Sequence, residues 1–207
     1  MKKQALLESL RVQGFPNFII KAFEKVKRED FLPDEYKEYA YYDIALPIEE
    51  RATISQPYTI AFMLNLLELE KLKENKKSSK NIKILEIGSG SGYVLALINE
   101  IIKNAEIYGF EINKELAFKS SNLLKDEKNI HIVNRSGFAG YKEKAPFDRI
   151  LISASSSSFG DIKPLIGQLK DQGILVSPIR TSIFQIKKGK GKAKEFPGFL
   201  FVPLVKS

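Results

Sequence analysis

The run Leu85-Glu86-Ile87-Gly88-Ser89-Gly90-Ser91-Gly92-Tyr93 constrains this chain more than any other stretch. An apolar, β-prone segment meets three glycines at alternate positions, and a helix-forming segment follows at once. Glycine lacks Cβ, so the backbone can turn sharply there and let a ligand approach the main chain. A buried strand ending in such a turn marks an open parallel sheet, whose ligands sit beyond the carboxyl ends of the strands. The downstream pattern agrees. Short β-rich runs at Ile82–Ile87, Glu106–Phe110, Ile130–Val133, Arg149–Ser153 and Gly173–Ser177 alternate with helical segments at Ser91–Ile102, Lys114–Lys125 and Asp161–Lys170. Such alternation predicts βαβ units. The end differs: Ser182–Lys187, a Gly-Lys-Gly turn and Phe196–Val205 predict an antiparallel hairpin.

Upstream, amphipathic helices are predicted at Lys3–Gln13 and Asn17–Val26, divided by Gly14 and Pro16. A turn-rich segment from Phe31 to Ile48 leads to a strongly apolar helix over Pro57–Leu69, and Lys71–Asn81 is a polar connection. The expected fold is therefore α/β. A doubly wound, mostly parallel sheet carries an N-terminal helical extension and a C-terminal antiparallel hairpin. With 207 residues, 43% of them hydrophobic, the chain suits one domain. Residues 1–70 are expected as a helical, substrate-lining segment and 82–207 as the ligand-binding core. There is no internal repeat.

Composition removes several chemistries. With no cysteine, the chain can form neither a disulfide, a thiolate metal site nor a cysteine nucleophile. No apolar run approaches the roughly 20 residues of a membrane-spanning helix. No signal-peptide pattern opens the chain, so a cytoplasmic protein with no membrane partner is expected. The net charge of +8 invites a nucleic-acid reading. Yet the lysines gather at Lys71–Lys80 and Lys187–Lys194 among Gly, Ser and Asn, as in a solvated linker and a hairpin tip.

The glycine turn is not the dinucleotide fingerprint, because Tyr93 stands where G-x-G-x-x-G needs its third glycine. It reads E-x-G-x-G-x-G and resembles the first motif of Rossmann-like methyltransferases, which implies S-adenosylmethionine as cofactor. Gly88, Ser89, Gly90 and Gly92 would then cradle it, with Glu86 near its ammonium and sulfonium end. Glu111 ends the second strand nineteen residues after Gly92, close to the roughly 20 expected for an acid that accepts both ribose hydroxyls. Upstream, Thr53-Ile54-Ser55-Gln56-Pro57-Tyr58 reads as a helix start, with Ser55 as the cap and Pro57 in the first turn.

Several segments together resemble protein-L-isoaspartate (D-aspartate) O-methyltransferases. They are Asp30-Phe31-Leu32-Pro33, Tyr41-Tyr42-Asp43, Leu46-Pro47-Ile48 and Thr53-Ile54-Ser55-Gln56-Pro57-Tyr58, then Ala145-Pro146-Phe147-Asp148, Gln168-Leu169-Lys170 and Phe201-Val202-Pro203-Leu204. The resemblance implies a monomer that methylates isoaspartyl and D-aspartyl carboxylates of damaged proteins; the ester then closes to a succinimide without the enzyme. It implies Ser55 as the active-site serine, with Thr53 and Ile54 lining the cofactor and substrate cleft. The family usually has Gly-Asp-Gly near the adenine, where this chain has Arg135-Ser136-Gly137, so Ser136 and Gly137 take the adenine positions. A glycine-rich turn before the serine segment is replaced by Glu49-Glu50-Arg51-Ala52.

The chemistry fits this inventory. A carboxylate with pKa near 4 is ionised at pH 7 and needs no general base. A serine hydroxyl can orient the acceptor oxygen without taking a proton. The single histidine, His131, falls at a strand start and is expected to be structural. Two other readings stay open: a nucleic-acid methyltransferase, and a degenerate or repurposed cofactor-binding protein. The first lacks both the cysteine of cytosine-C5 chemistry and, over Ser153–Phe159, the Asn/Asp-Pro-Pro-aromatic run of base amino-methylation.

Overall fold

The computed structural model describes residues 2–74 and 81–205. Two amphipathic helices open it, α1 (Lys3–Val12) and α2 (Asn17–Lys25), which bury Leu6, Leu7, Leu10, Ile19, Ile20 and Phe23. Two 3₁₀ turns, at Arg28–Phe31 and Asp34–Tyr39, lead into a short hairpin of β1 (Leu46–Glu49) and β2 (Ala52–Ile54). Helix α3 (Pro57–Leu66) is apolar nearly all round and is buried accordingly. A short α4 (Glu70–Glu74) covers the start of the expected polar connection, and residues 75–80 of it lie outside the described residues.

The core then alternates as its pattern requires. It runs β3 (Ile82–Ile87), α5 (Tyr93–Ile101), β4 (Ala105–Glu111), α6 (Lys114–Leu123), β5 (Ile130–Asn134), β6 (Phe147–Ile152), α7 (Phe159–Gly167) and β7 (Leu169–Ile179), then β8 (Ser182–Lys187) and β9 (Lys194–Pro197). The sheet order is β5-β4-β3-β6-β7-β8-β9, with β3 to β7 parallel and the last two strands antiparallel. From β3 the chain winds outward to β4 and β5 on one side, then crosses back to β6 on the other. The switch point lies at the carboxyl end of β3, where such sheets bind ligands.

Side chains alternate between two cores because neighbouring strand residues face opposite ways. Ile84, Ile107, Leu151 and Val176 join α1, α2, α3 and α5 in one apolar cluster. Leu85, Phe110, Ile150 and Leu175 join Ile162 and Leu165 of α7 in the other. Helix α6 starts on the Asn113 side chain, which accepts from the amides of Glu115 and Leu116, and α7 starts on a Ser158–Asp161 capping box.

Three expectations need correction. Phe196–Val205 is not one strand: β9 stops at Pro197, Gly198 turns with φ of +95°, and the remainder crosses to the loop after β6. There Ser155 N donates to Val202 O at 2.8 Å and Leu204 N to Ser155 O at 2.8 Å. Lys170 belongs to β7 rather than to the preceding helix. Finally, the turn-rich stretch ends in the unforeseen β1–β2 hairpin. Among the described residues no helix is long and apolar enough to cross a membrane.

Candidate active site

Strand β3 delivers Glu86 and the glycine turn to one place. Gly88, Gly90 and Gly92 all take left-handed φ values, of +76°, +52° and +85°. At Gly92 the requirement is also steric: a Cβ would lie 2.9 Å from Leu124 Cδ1 and 3.2 Å from Ser120 Cβ. Gly92 thus faces α6, lets α5 begin against it and lies off the cavity wall. Gly88, Ser89 and Gly90 do line the wall.

Two adjoining cavities form the cleft, of about 40 and about 210 Å³, and both are bordered by Ile48, Thr53, Gly88, Gly90 and Ser153. The smaller adds Ile54, Ser55 and Glu86; the larger adds Glu111, Ile112, Asn113, Arg135 and Gly137. Ile48, from β1, lies over Gly90: a Cβ there would stand 3.1 Å from its Cδ1. The hairpin therefore roofs the junction between the two chambers. A bigger cavity of about 520 Å³, between α2 and the end of α5, is bordered by Lys21, Lys25 and Lys103 around Glu100. It has neither the glycine turn nor the strand-end carboxylates.

The two carboxylates differ in environment. Glu86 is 1% exposed, and Ser153 Oγ donates to its Oε1 at 2.6 Å while Oε2 is buried without a partner. Burial pushes its carboxyl up to about 8; the Ser153 bond opposes the rise and the charge of Glu111 adds to it. Glu111, ending β4, accepts from Gly90 N at 2.7 Å and Asn113 N at 2.8 Å. It thereby ties the glycine turn to the next strand end. A buried carboxylate oxygen without a donor suits a cationic ligand group. A glycine cradle beside it suits a close-fitting nucleoside. The residues present therefore fit S-adenosylmethionine, of which Glu86 would face the cationic end and Glu111 the ribose.

Ser55 opens on the smaller chamber beside Thr53 and Ile54, but it does not cap α3. The N-cap is Gln56, Pro57 takes the first turn, and no side chain of the cap residue bonds there. Asp43 instead reaches across fifteen residues, its Oδ1 accepting from Tyr58 N at 2.7 Å. Ser55 is freed from the capping duty by a residue remote in sequence. Its carbonyl accepts from Arg28 Nη2 at 3.1 Å.

The two positions expected near adenine divide. Gly137 lines the larger chamber, and a Cβ there would fall 2.2 Å from Ile87 Cγ2. Ser136 does not line it; its Oγ is buried without a partner. Arg135 takes the wall instead, its guanidinium 5.0 Å from the Phe110 ring and 5.8 Å from that of Tyr141. Sequence reasoning also missed Ser153, Ile48 and the tail at Val202, Pro203 and Leu204, which border the cleft. Ser153 was findable as the first residue past β6, which pairs in register with β3. His131 lies away from the cleft, on the surface, with Nε2 2.7 Å from Glu106 Oε2 and its ring stacked on Tyr108.

This architecture is shared. The chain superposes with a TM-score of 0.84 on a solved protein-L-isoaspartate O-methyltransferase, at 24% identity over 98% of this chain and 65% of that one. A Plasmodium falciparum structure, described as a beta-aspartate methyltransferase in complex with S-adenosyl-L-homocysteine, matches over both full lengths with 25% identity and a TM-score of 0.79. In sequence, the protein-L-isoaspartate O-methyltransferase of Petrotoga mobilis is 40% identical over 90% of this chain and 86% of its own. That of Pyrococcus abyssi is 34% identical over 99% and 91%. The family model for protein-L-isoaspartate (D-aspartate) O-methyltransferase matches residues 1–207. Fold and sequence thus agree from end to end, and the chain belongs to the protein-L-isoaspartate (D-aspartate) O-methyltransferase family.

Proposed function

We propose that this chain esterifies isoaspartyl and D-aspartyl carboxylates of damaged cytoplasmic proteins with S-adenosylmethionine, and that Ser55 faces the acceptor. The observation that carries the reading is one cavity wall holding Ser55, Glu86 and the glycine turn together. When bound, the cofactor supplies an electrophilic methyl group to a carboxylate oxygen. The protein's part is placement. Glu86 holds the cationic end, Glu111 accepts the ribose hydroxyls, and Gly88, Ser89 and Gly90 give the backbone room. Thr53, Ile54 and Ser55 align the acceptor, whose ionised oxygen needs no base. Such alignment can contribute roughly 7–11 kcal/mol at best. Gly92 and Ser136 act behind the wall, by packing, while Gly137 keeps the wall of the larger chamber free of a side chain. Residues 1–70 supply Ser55 and the roof over both chambers, 82–207 supply the glycine turn and the two glutamates of one domain, and the acting unit is one chain.

The test is methyl transfer from labelled cofactor to an isoaspartyl peptide, its normal aspartyl twin and RNA. Base-labile label on the isoaspartyl peptide alone is expected. Equal labelling of both peptides, or label on RNA only, overturns the reading.

A further inference from the structure

Arg28 is fully buried at the start of the first 3₁₀ turn, yet it lies outside the cleft. Its two terminal nitrogens donate to main-chain carbonyls, while Nε is buried without a partner. Nη1 donates to Ala40 O at 2.7 Å and Tyr42 O at 3.4 Å, and Nη2 donates to Ile44 O at 3.0 Å and Ser55 O at 3.1 Å. Burial lowers its pKa only to about 10, so it is a cation at neutral pH, helped by the nearby charge of Asp43. A buried cation is costly to keep, and an apolar residue of like volume is often as stable. Packing alone is therefore a poor reason for an arginine here.

What it gathers reaches the cleft at one point, Ser55, whose carbonyl it holds and which borders the smaller chamber. Residues 40–44 carry the exposed Tyr42 and Ile44, together with Asp43, which holds the first turn of α3 through Tyr58 N. Ser55 stands one residue before the Gln56 cap of that helix. The planar fork of an arginine can fix several carbonyls at once, which the single ammonium of a lysine cannot. The carboxylates of the cofactor side, Glu86 and Glu111, bond to other groups. Building on the function proposed above, we infer that Arg28 is a positioning residue: by tying Ser55 to the 40–44 backbone it sets Ser55 against the methyl donor, acting on turnover rather than on cofactor binding.

The experiment compares the full-length parent, Arg28→Lys, Ser55→Ala and the double variant, with an isoaspartyl peptide as acceptor, well below every melting temperature. The parent's activity on this peptide tests the functional reading; the variants test Arg28. Arg28→Lys is expected to lower kcat roughly ten- to hundredfold, the scale of a small misplacement. Its Kd for S-adenosylhomocysteine should stay within about threefold of the parent. The double variant should be little slower than the slower single one, because both act through one group. A lower melting temperature with kcat unchanged overturns the inference. So does a parallel collapse of cofactor affinity, or losses that multiply in the double variant. Should Arg28→Lys not fold, arginine-labelled parent protein serves. Its Arg28 guanidinium resonance should shift on adding isoaspartyl peptide but not the aspartyl twin, and an unmoved resonance overturns the inference.

Discussion

At the scale of single residues, Glu86 couples the cleft to the proton. Its carboxyl titrates near 8 in the folded chain against an ordinary value of 4.5, chiefly through burial. Between those two values the folded protein holds a proton that the unfolded chain has released. By linkage, this group's contribution to stability then falls as pH rises through that window. A cationic ligand reverses the balance by favouring the ionised form. Cofactor binding at pH 7 should therefore expel close to one proton, visible by calorimetry in buffers of different ionisation enthalpy. Glu86→Gln should abolish the release, and a parent that binds without releasing a proton contradicts the assignment. Both glutamates were legible in the sequence, because a strand end, a glycine turn and a spacing of about twenty residues are local signals. The role of Ser136 was not. Its residue type says nothing of which way it faces, and the fold turns it from the wall and puts Arg135 there.

At the scale of elements, α3 is held at both ends by partners distant in sequence. Asp43 meets its first turn, while at its end Arg149 donates from Nε to Leu67 O and from Nη2 to Glu68 O at 3.2 Å, and Gln185 donates to Leu66 O. Arg149 is 5% exposed. Arg149→Met would strand those carbonyls, and we expect a loss of about 3 kcal/mol. Urea unfolding should record it as a lower midpoint at unchanged slope, and a loss below about 1 kcal/mol would refute the pin. Long-range ties of this kind explain which elements the sequence disclosed. β3 and β8 fall where the pattern put them, since alternation and turns are local. The β1–β2 hairpin was hidden because its left-handed turn residue is Arg51, at φ +61°, where hairpins usually announce themselves with Asn or Gly. The start of β7 was hidden in the same way, by the left-handed Gln172 at φ +62°.

At the scale of the whole molecule, the helical extension and the sheet share one apolar core, with Leu7, Phe23 and Leu64 clustered with Ile84, Leu97 and Ile107. Such sharing predicts cooperative unfolding of one unit. The chain has 8 tyrosines and no tryptophan, so tyrosine fluorescence and far-ultraviolet circular dichroism should give coincident urea curves. Separate midpoints would divide 1–70 from 82–207. The far edge of the sheet has a further consequence. Strand β9 is four residues long and ends at Pro197, and the tip before it carries Lys188, Lys190 and Lys192. Short length, proline and lysine are the devices that blunt an open edge against strand addition. A repair enzyme must meet aged, partly unfolded chains whose exposed segments seek a strand to pair with. At this border such segments find little to pair with, which favours release over co-aggregation.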